Sequence, residues 1–183
     1  MALRTFVKVS TISNLSDARY CAGMGVDLLG FCTIKGLPQY IDPARFQEIR
    51  GWVTGPKIVA EIYGIDNAAE IEKILEDYKP DYLEMGANEL SVLSSFPLPV
   101  IMAINGDGDI NSLPFNPAYF IGEKEIESTI PFLVKINSTD EVLSALDNPA
   151  INGIVLKGGS ELKPGLKDTE MINEVLEMLE TDD

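Results

Sequence analysis

Apolar residues along this chain fall into short β-branched runs, and the stretches between them repeat their apolar positions at helical spacing. The runs predict strands over 5–10, 26–32, 57–63, 80–85, 99–104, 118–122, 131–136 and 151–157. The intervening stretches predict helices over 14–24, 43–51, 67–78, 88–94, 138–147 and 168–180. Such alternation is the signature of parallel βα units. Within 67–78, Ala68, Ile71, Ile74 and Leu75 share one helical face suited to covering a sheet. Helix starts are marked as well. Asn14 or Ser16 opens the first helix, Asp42 precedes a proline at the first helical position, and Ser138 leads into Thr139-Asp140-Glu141.

Eight strands with helical covers predict an α/β fold, a single-domain (β/α)8 barrel of the TIM type over 1–183. Such barrels usually take roughly 200 residues or more, so something is missing. Residues 105–117 hold no helical period and 123–130 are too few for a full helix, which predicts that the fifth and sixth helices are shortened or lost. An open doubly wound sheet is the alternative, but no Gly-x-Gly-x-x-Gly turn follows the first strand. Gly106-Asp107-Gly108-Asp109 resembles part of a calcium loop yet lacks the ligand spacing and closing glutamate, and is read as a turn. The acidic tail Glu177–Asp183 is read as solvated.

Composition narrows the chemistry. No run approaches the ~18 to 20 apolar residues of a membrane span, and the first residues do not lead into a signal-peptide core, so a cytoplasmic protein without membrane contact is expected. Fourteen basic against twenty-nine acidic side chains give a net charge of −15, which repels nucleic acid. The chain has no histidine, which removes the commonest proton shuttle and metal ligand. With only Cys21 and Cys32, expected as buried free thiols, a zinc site is not anticipated, nor any other metal or cofactor. Acid–base work is left to carboxylates, lysines, tyrosines or thiols. Trp52 and Phe115 are bulky enough to suggest an interface, although packing under a thinned helix layer accounts for them equally well. The chain is expected as a monomer or a homodimer.

Several segments stand in register with one family. Val7 to Ala18 carries Ser10-Thr11-Ile12-Ser13-Asn14-Leu15-Ser16-Asp17 after an apolar strand, and Gly25-Val26-Asp27-Leu28-Leu29-Gly30-Phe31 forms the second strand. Leu37-Pro38-Gln39-Tyr40-Ile41-Asp42-Pro43 follows, then Gly153-Ile154-Val155-Leu156-Lys157-Gly158-Gly159-Ser160-Glu161 and Pro164-Gly165-Leu166-Lys167-Asp168. Together these resemble phosphoribosylanthranilate isomerase. Its matching motifs are Lys-Ile-Cys-Gly-Ile-Thr, Gly-Ala-Asp-Ala-Leu-Gly-Phe, Ser-Pro-Arg-Tyr-Ile-Ser-Pro, Gly-Val-Asp-Val-Ser-Ser-Gly-Val-Glu and Pro-Gly-Val-Lys-Asp.

The resemblance implies a barrel that performs an Amadori rearrangement on a phosphoribosylated anthranilate, with a first-strand cysteine as base and a sixth-strand aspartate as acid. Those positions are changed here. The base position is Ser10, with no histidine to activate its hydroxyl. The acid position falls on Gly122 or, after a one-residue slip, Glu123. The loop arginine is Gln39. Gln-Leu-His-Gly on the fourth strand becomes Glu84-Met85-Gly86-Ala87, and Lys-Ala-Ile-Arg on the fifth becomes Met102-Ala103-Ile104-Asn105. The seventh-strand Ala-Gly-Gly that receives phosphate becomes Val134-Lys135-Ile136.

Three readings follow. The first is an isomerase-like barrel without the isomerase reaction that still binds a small phosphorylated or anionic molecule through Gln39, Lys135, Lys157, Gly158, Gly159 and Ser160, with Lys35 nearby. The second is an active divergent isomerase of tryptophan biosynthesis, an aldose–ketose isomerase with Ser10 and Glu123 or Asp109 as its acid–base groups. The third is a barrel enzyme of other specificity that uses Glu61 and Glu84, which end the third and fourth strands where barrel active sites gather.

Overall fold

Eight parallel strands close on themselves in sequence order, each bonded to the next and the eighth to the first. A computed structural model describes residues 2–93, 95–105, 110–158, 160–163 and 166–181, without the side chains of 111, 160–163 and 166–168. The strands are β1 (Phe6–Ser10), β2 (Leu28–Cys32), β3 (Lys57–Glu61), β4 (Tyr82–Met85), β5 (Val100–Ala103), β6 (Tyr119–Gly122), β7 (Phe132–Lys135) and β8 (Gly153–Lys157). Helices α1 (Leu15–Gly23), α2 (Pro43–Arg50), α3 (Ala68–Tyr78), α4 (Asp140–Asp147) and α5 (Glu170–Leu179) supply the α-helical cover. This is the expected (β/α)8 barrel.

Successive side chains of a strand point to opposite faces, and this alternation divides the core in two. Outward residues such as Val7, Val9, Leu29, Phe31, Ile58 and Ala60 meet the helices. Inward residues Leu28, Val59, Ile101, Ile121, Leu133 and Val155 fill the barrel. At the amino-terminal end the interior is plugged by Phe6 stacked on Tyr119, with ring centroids 5.2 Å apart. The same end is tied by a repeated device. Asp27 accepts a hydrogen bond from Val7 N–H, Asp81 from Ile58 N–H and Asn152 from Phe132 N–H, at 2.8, 2.8 and 2.9 Å. Each such residue just precedes an even-numbered strand and satisfies an amide at the start of the strand before it, where the ladder has no partner to offer.

The helix starts follow their caps. Asn14 accepts from Asp17 N–H at 2.8 Å and Asp42 from Arg45 N–H at 3.0 Å. At α4 the cap is Thr139, which makes no side-chain cap bond, and the Glu141 carboxylate instead accepts from Asn137 N–H at 2.7 Å. On α3 the buried face is Ile71, Ile74 and Tyr78, while Ala68 is exposed.

The cover departs from expectation in two places, the stretch after β4 and the stretch after β8. The helix predicted over 88–94 is a 3₁₀ turn, Ala87–Ser91. Its Glu89 is buried and accepts from Gly64 and Gly86 N–H groups, both at 2.8 Å, which holds the turn down onto the loop after β3. The fifth cover shrinks to a 3₁₀ turn at Ile110–Ser112, and no helix follows β6, as the short spacing predicted. Phe115 packs on Phe96 with centroids 4.1 Å apart, so it fills the thinned layer, whereas Trp52 is exposed. The stretch after β8 forms an antiparallel hairpin, β9 (Ser160–Lys163) with β10 (Leu166–Asp168), which the hydrophobic pattern did not predict. Residues 106–109, read above as a turn, lie outside the described residues.

Candidate functional site

The carboxyl ends of the strands surround a cavity of about 410 Å³ lined by Ser10, Thr11, Cys32, Leu37, Gln39, Glu61, Tyr63, Glu84, Ile121, Glu123, Lys135, Ile136, Asn137, Val155, Leu156 and Lys157. The parity of each strand explains the set. Ser10, Cys32, Glu61, Glu84, Lys135 and Lys157 continue the inward rows begun by Lys8, Gly30, Val59, Tyr82, Leu133 and Val155. On β6 the inward row is Tyr119, Ile121 and Glu123. Gly122 therefore points outward, where a Cβ would approach Ile104 O and the Phe132 ring at 3.1 and 3.4 Å. Of the two positions open for the acid, the one facing the cavity is Glu123.

Beneath the cavity lies a buried ionic cluster. Lys8 is wholly buried, and its ammonium donates to Glu61 Oε1 at 3.0 Å and to Ser10 Oγ. Glu84 Oε2 lies 2.7 Å from the same nitrogen, an ionic contact out of line for a hydrogen bond. Glu61 also receives Thr11 N–H on both oxygens at 3.2 Å, and Tyr63 O–H donates to Glu84 Oε1 at 2.7 Å. Gly30 makes the Lys8–Glu61 pair possible, because a Cβ there would strike the Glu61 carboxylate and come within 2.9 Å of Lys8 Nζ.

Protonation follows from burial and charge. Desolvation works against the ammonium of Lys8, but Glu84 and Glu61 together outweigh it and hold its pKa above the ordinary lysine value. Lys8 is therefore a cation and no base. Burial pushes Glu61 above the ordinary carboxylate range; Lys8 and Thr11 pull it back and the charge of Glu84 adds to the rise. Burial, reinforced by Glu84, keeps Tyr63 protonated as a donor. Burial likewise raises the Cys32 thiol, and Cys21, in α1, is pushed up to about 12, so neither is an activated thiolate.

Ser10, the position of the family base, thus has its oxygen engaged by a cation. Glu123 is exposed on the rim and accepts from Asn137 Nδ2 at 2.9 Å. Gln39, Lys135 and Lys157 all line the cavity, whereas Lys35 is exposed on the loop after β2 and is not among the lining residues. Gly158 differs from its expected role. Its N–H donates to Ser10 O at 2.7 Å, and a Cβ there would meet the Ser10 and Thr11 carbonyls at 2.6 and 2.8 Å. Its lack of a side chain serves close packing on β1, and its amide is not directed to a ligand. Gly159 and the side chain of Ser160 lie outside the described residues. Among the described residues no group of three or more cysteines and carboxylates is arranged to hold a metal ion.

Sequence reasoning passed over Lys8, Thr11, Tyr63 and Asn137. A lysine in the middle of an apolar parallel strand was the available signal, because such strands are buried on both faces and a charge there needs partners. Thr11 carries a subtler one. It stands where the family motif has glycine, and its φ is 55°, a left-handed conformation that is unusual for a β-branched residue. That turn directs the Thr11 amide at Glu61.

A closed parallel barrel with its polar cavity at the carboxyl ends of the strands defines a (β/α)8 protein whose site lies where barrel enzymes carry theirs. The chain is similar to phosphoribosylanthranilate isomerases in sequence and in fold. It is 22% identical over 200 residues to N-(5'-phosphoribosyl)anthranilate isomerase of Rhodopseudomonas palustris strain BisB18, covering 91% of each chain. It is 26% identical to the same enzyme of Petrotoga mobilis, covering 94% of this chain and 96% of that one. The crystal structure of phosphoribosyl anthranilate isomerase from Thermotoga maritima shares the fold at a TM-score of 0.74 and 19% identity, over 94% of this chain and 97% of that chain. A phosphoribosyl anthranilate isomerase solved with reduced 1-(o-carboxyphenylamino)-1-deoxyribulose 5-phosphate gives 0.73 at 19% identity, over the same shares. No protein-family model matches the chain.

Proposed function

We propose that this protein is an isomerase-like barrel that no longer performs the Amadori rearrangement and uses its mouth to bind a small molecule bearing an anionic group. The observation that carries the reading is the bond from the Lys8 ammonium to Ser10 Oγ. A base at this position must accept a proton from a sugar carbon. Ser10 is a neutral hydroxyl, and its lysine neighbour is locked in the charged form by two carboxylates. At the other pole of the reaction, Glu123 is a solvated rim carboxylate, and a general acid near neutral pH calls for an environment that favours its protonated form. Anion binding draws its support from Lys135 and Lys157, which face the cavity from neighbouring strands. Gln39 supplies a neutral donor and acceptor where the family has an arginine.

The test follows the fluorescence of freshly made phosphoribosylanthranilate with the purified protein beside Ser10→Ala and Glu123→Gln. The expected result is no turnover above the buffer blank in any of the three. Wild-type turnover that falls in either variant would establish an isomerase with rebuilt acid–base groups and overturn the reading.

A second reading draws on Glu61, whose pKa burial raises against the pull of Lys8, with the charge of Glu84 adding to the rise. Such a group suits acid chemistry on a different substrate. A ligand affinity that changes with pH in the wild type, and no longer does so in Glu61→Gln and Glu84→Gln, would support it; wild-type behaviour in both variants would end it.

A further inference from the structure

In a closed ring of eight strands, β3 and β4 stand opposite β7 and β8. The charges of the cavity are divided along that line. Glu61 and Glu84 end the first pair, with side-chain exposures of 4% and 3%, and Lys135 and Lys157 end the second. Lys8 sits between the two carboxylates and supplies one positive charge, which leaves one negative charge uncompensated on that wall when both are ionised. Burying such a surplus is costly unless something pairs with it. Glu84 Oε2 is buried, and the cation beside it is Lys8 Nζ, 2.7 Å away, which it shares with Glu61 and Ser10. Glu123 faces the cavity too, but it is exposed at the β6 rim and already receives Asn137.

We infer that the mouth binds a small dipolar molecule, with a protonated amine at Glu84 and Glu61 and an anionic group at Lys135 and Lys157. The inference rests on the proposed reading of the mouth as a ligand site and names the class of ligand. An amine entering from the cavity would add a second cation beside the two carboxylates and neutralise the surplus charge. The lysines opposite would take the acid end of the same molecule. A ligand with anions at both ends would place one of them against two carboxylates, and like charges at close range are rejected strongly. The same polarity therefore disfavours a substrate that carries a carboxylate and a phosphate at opposite ends.

Calorimetric titration of the intact protein near neutral pH with ω-aminoalkyl phosphates of two to six carbons, beside alkyl phosphates of equal length, tests this. At one chain length the amine should bind about 10-fold tighter or more, the scale of one hydrogen bond between charged groups. Glu84→Gln should erase that preference, and Lys135→Ala with Lys157→Ala should weaken both series. Glu84→Asp provides an independent check should the glutamine variant fail to fold, because it keeps the charge and should shift the preferred length upward. Equal affinity of the two series, a preference that survives Glu84→Gln, or no binding of either series would overturn the inference. Equal affinity would still leave anion binding standing, and turnover in the fluorescence test would overturn the parent reading instead, so the two failures are distinguishable.

Discussion

Lys8 Nζ and Glu84 Oε2 meet 2.7 Å apart inside the barrel, bridging the first strand to the fourth beneath the cavity. Glu61 shares the same ammonium, so the cluster holds two carboxylates to one cation. Its members are not interchangeable. Removing the cation leaves two buried carboxylates facing one another, whereas removing one carboxylate leaves a balanced pair. Lys8→Met should therefore destabilise the protein by about 3 to 5 kcal/mol, the cost typical of breaking a buried ion pair from one side. Glu84→Gln should cost clearly less than that, because Lys8 keeps Glu61 as its partner and the glutamine amide oxygen can still accept from Tyr63 O–H. Urea unfolding of both variants checks the asymmetry, and equal losses would refute it.

The raised pKa of Glu61 has a defined sign in stability. A carboxyl that holds its proton more tightly when folded contributes stability that is fully present below the unfolded value of 4.5. That contribution is lost as pH rises through the raised folded value. The wild type should therefore lose stability relative to Glu61→Gln as pH climbs from 4.5 upward, and the loss should level off once Glu61 is ionised. Glu84→Gln should shrink the effect, because the charge of Glu84 contributes to the rise after burial itself. Unfolding free energies across this range give the answer; parallel curves for wild type and Glu61→Gln would contradict it.

Thr11 holds a left-handed φ of 55° that glycine adopts freely. Strain of this kind is of order 1 to 3 kcal/mol, and the added chain entropy of glycine offsets roughly 0.5 to 1 of it. Thr11→Gly should stabilise the protein by about 1 kcal/mol while keeping the amide directed at Glu61. A lower melting temperature in the variant would show that the threonine side chain contributes more than its backbone costs.

Ser10→Cys alone should not yield an isomerase. It places a thiol at the family's base position, but the opposite pole still ends in Gly122 and a rim Glu123, and the seventh strand still runs Val134-Lys135-Ile136. Two missing groups on opposite sides of a substrate are not restored by returning one of them. Turnover in this single variant, followed by the fluorescence of phosphoribosylanthranilate, would mean that the rest of the machinery persists.

Strands were the most legible part of the chain, because each is a buried apolar run with few competing conformations. Residues 57–63 predicted β3 and the strand is Lys57–Glu61. The helix after β4 was less legible: 88–94 has some helical spacing, yet Glu89 turns inward to serve Gly64 and Gly86, and this tertiary bond favours a 3₁₀ turn. The β9–β10 hairpin was missed although the sequence places the turn dipeptide Pro164-Gly165 between its two runs, since these short, largely polar runs lack an apolar signal. At the site, strand ends brought Glu61, Glu84, Lys135 and Lys157 to one mouth, and the family resemblance added Ser10, Gln39 and Glu123. Neither revealed that Lys8 reaches up from the second inward layer to engage three of the chain's polar groups. That depends on Gly30 leaving space beside it, a matter of packing between strands rather than of pattern within one.

The proposed loss of the rearrangement on a persisting barrel is tested most directly by a single time course. Wild-type protein, at a concentration comparable to that of freshly prepared phosphoribosylanthranilate, is followed by the decay of substrate fluorescence against a matched buffer blank. Decay indistinguishable from the blank is the predicted result. A decay faster than the blank that scales with protein concentration would contradict the account, and would require that Ser10, held by Lys8, serves as a base after all.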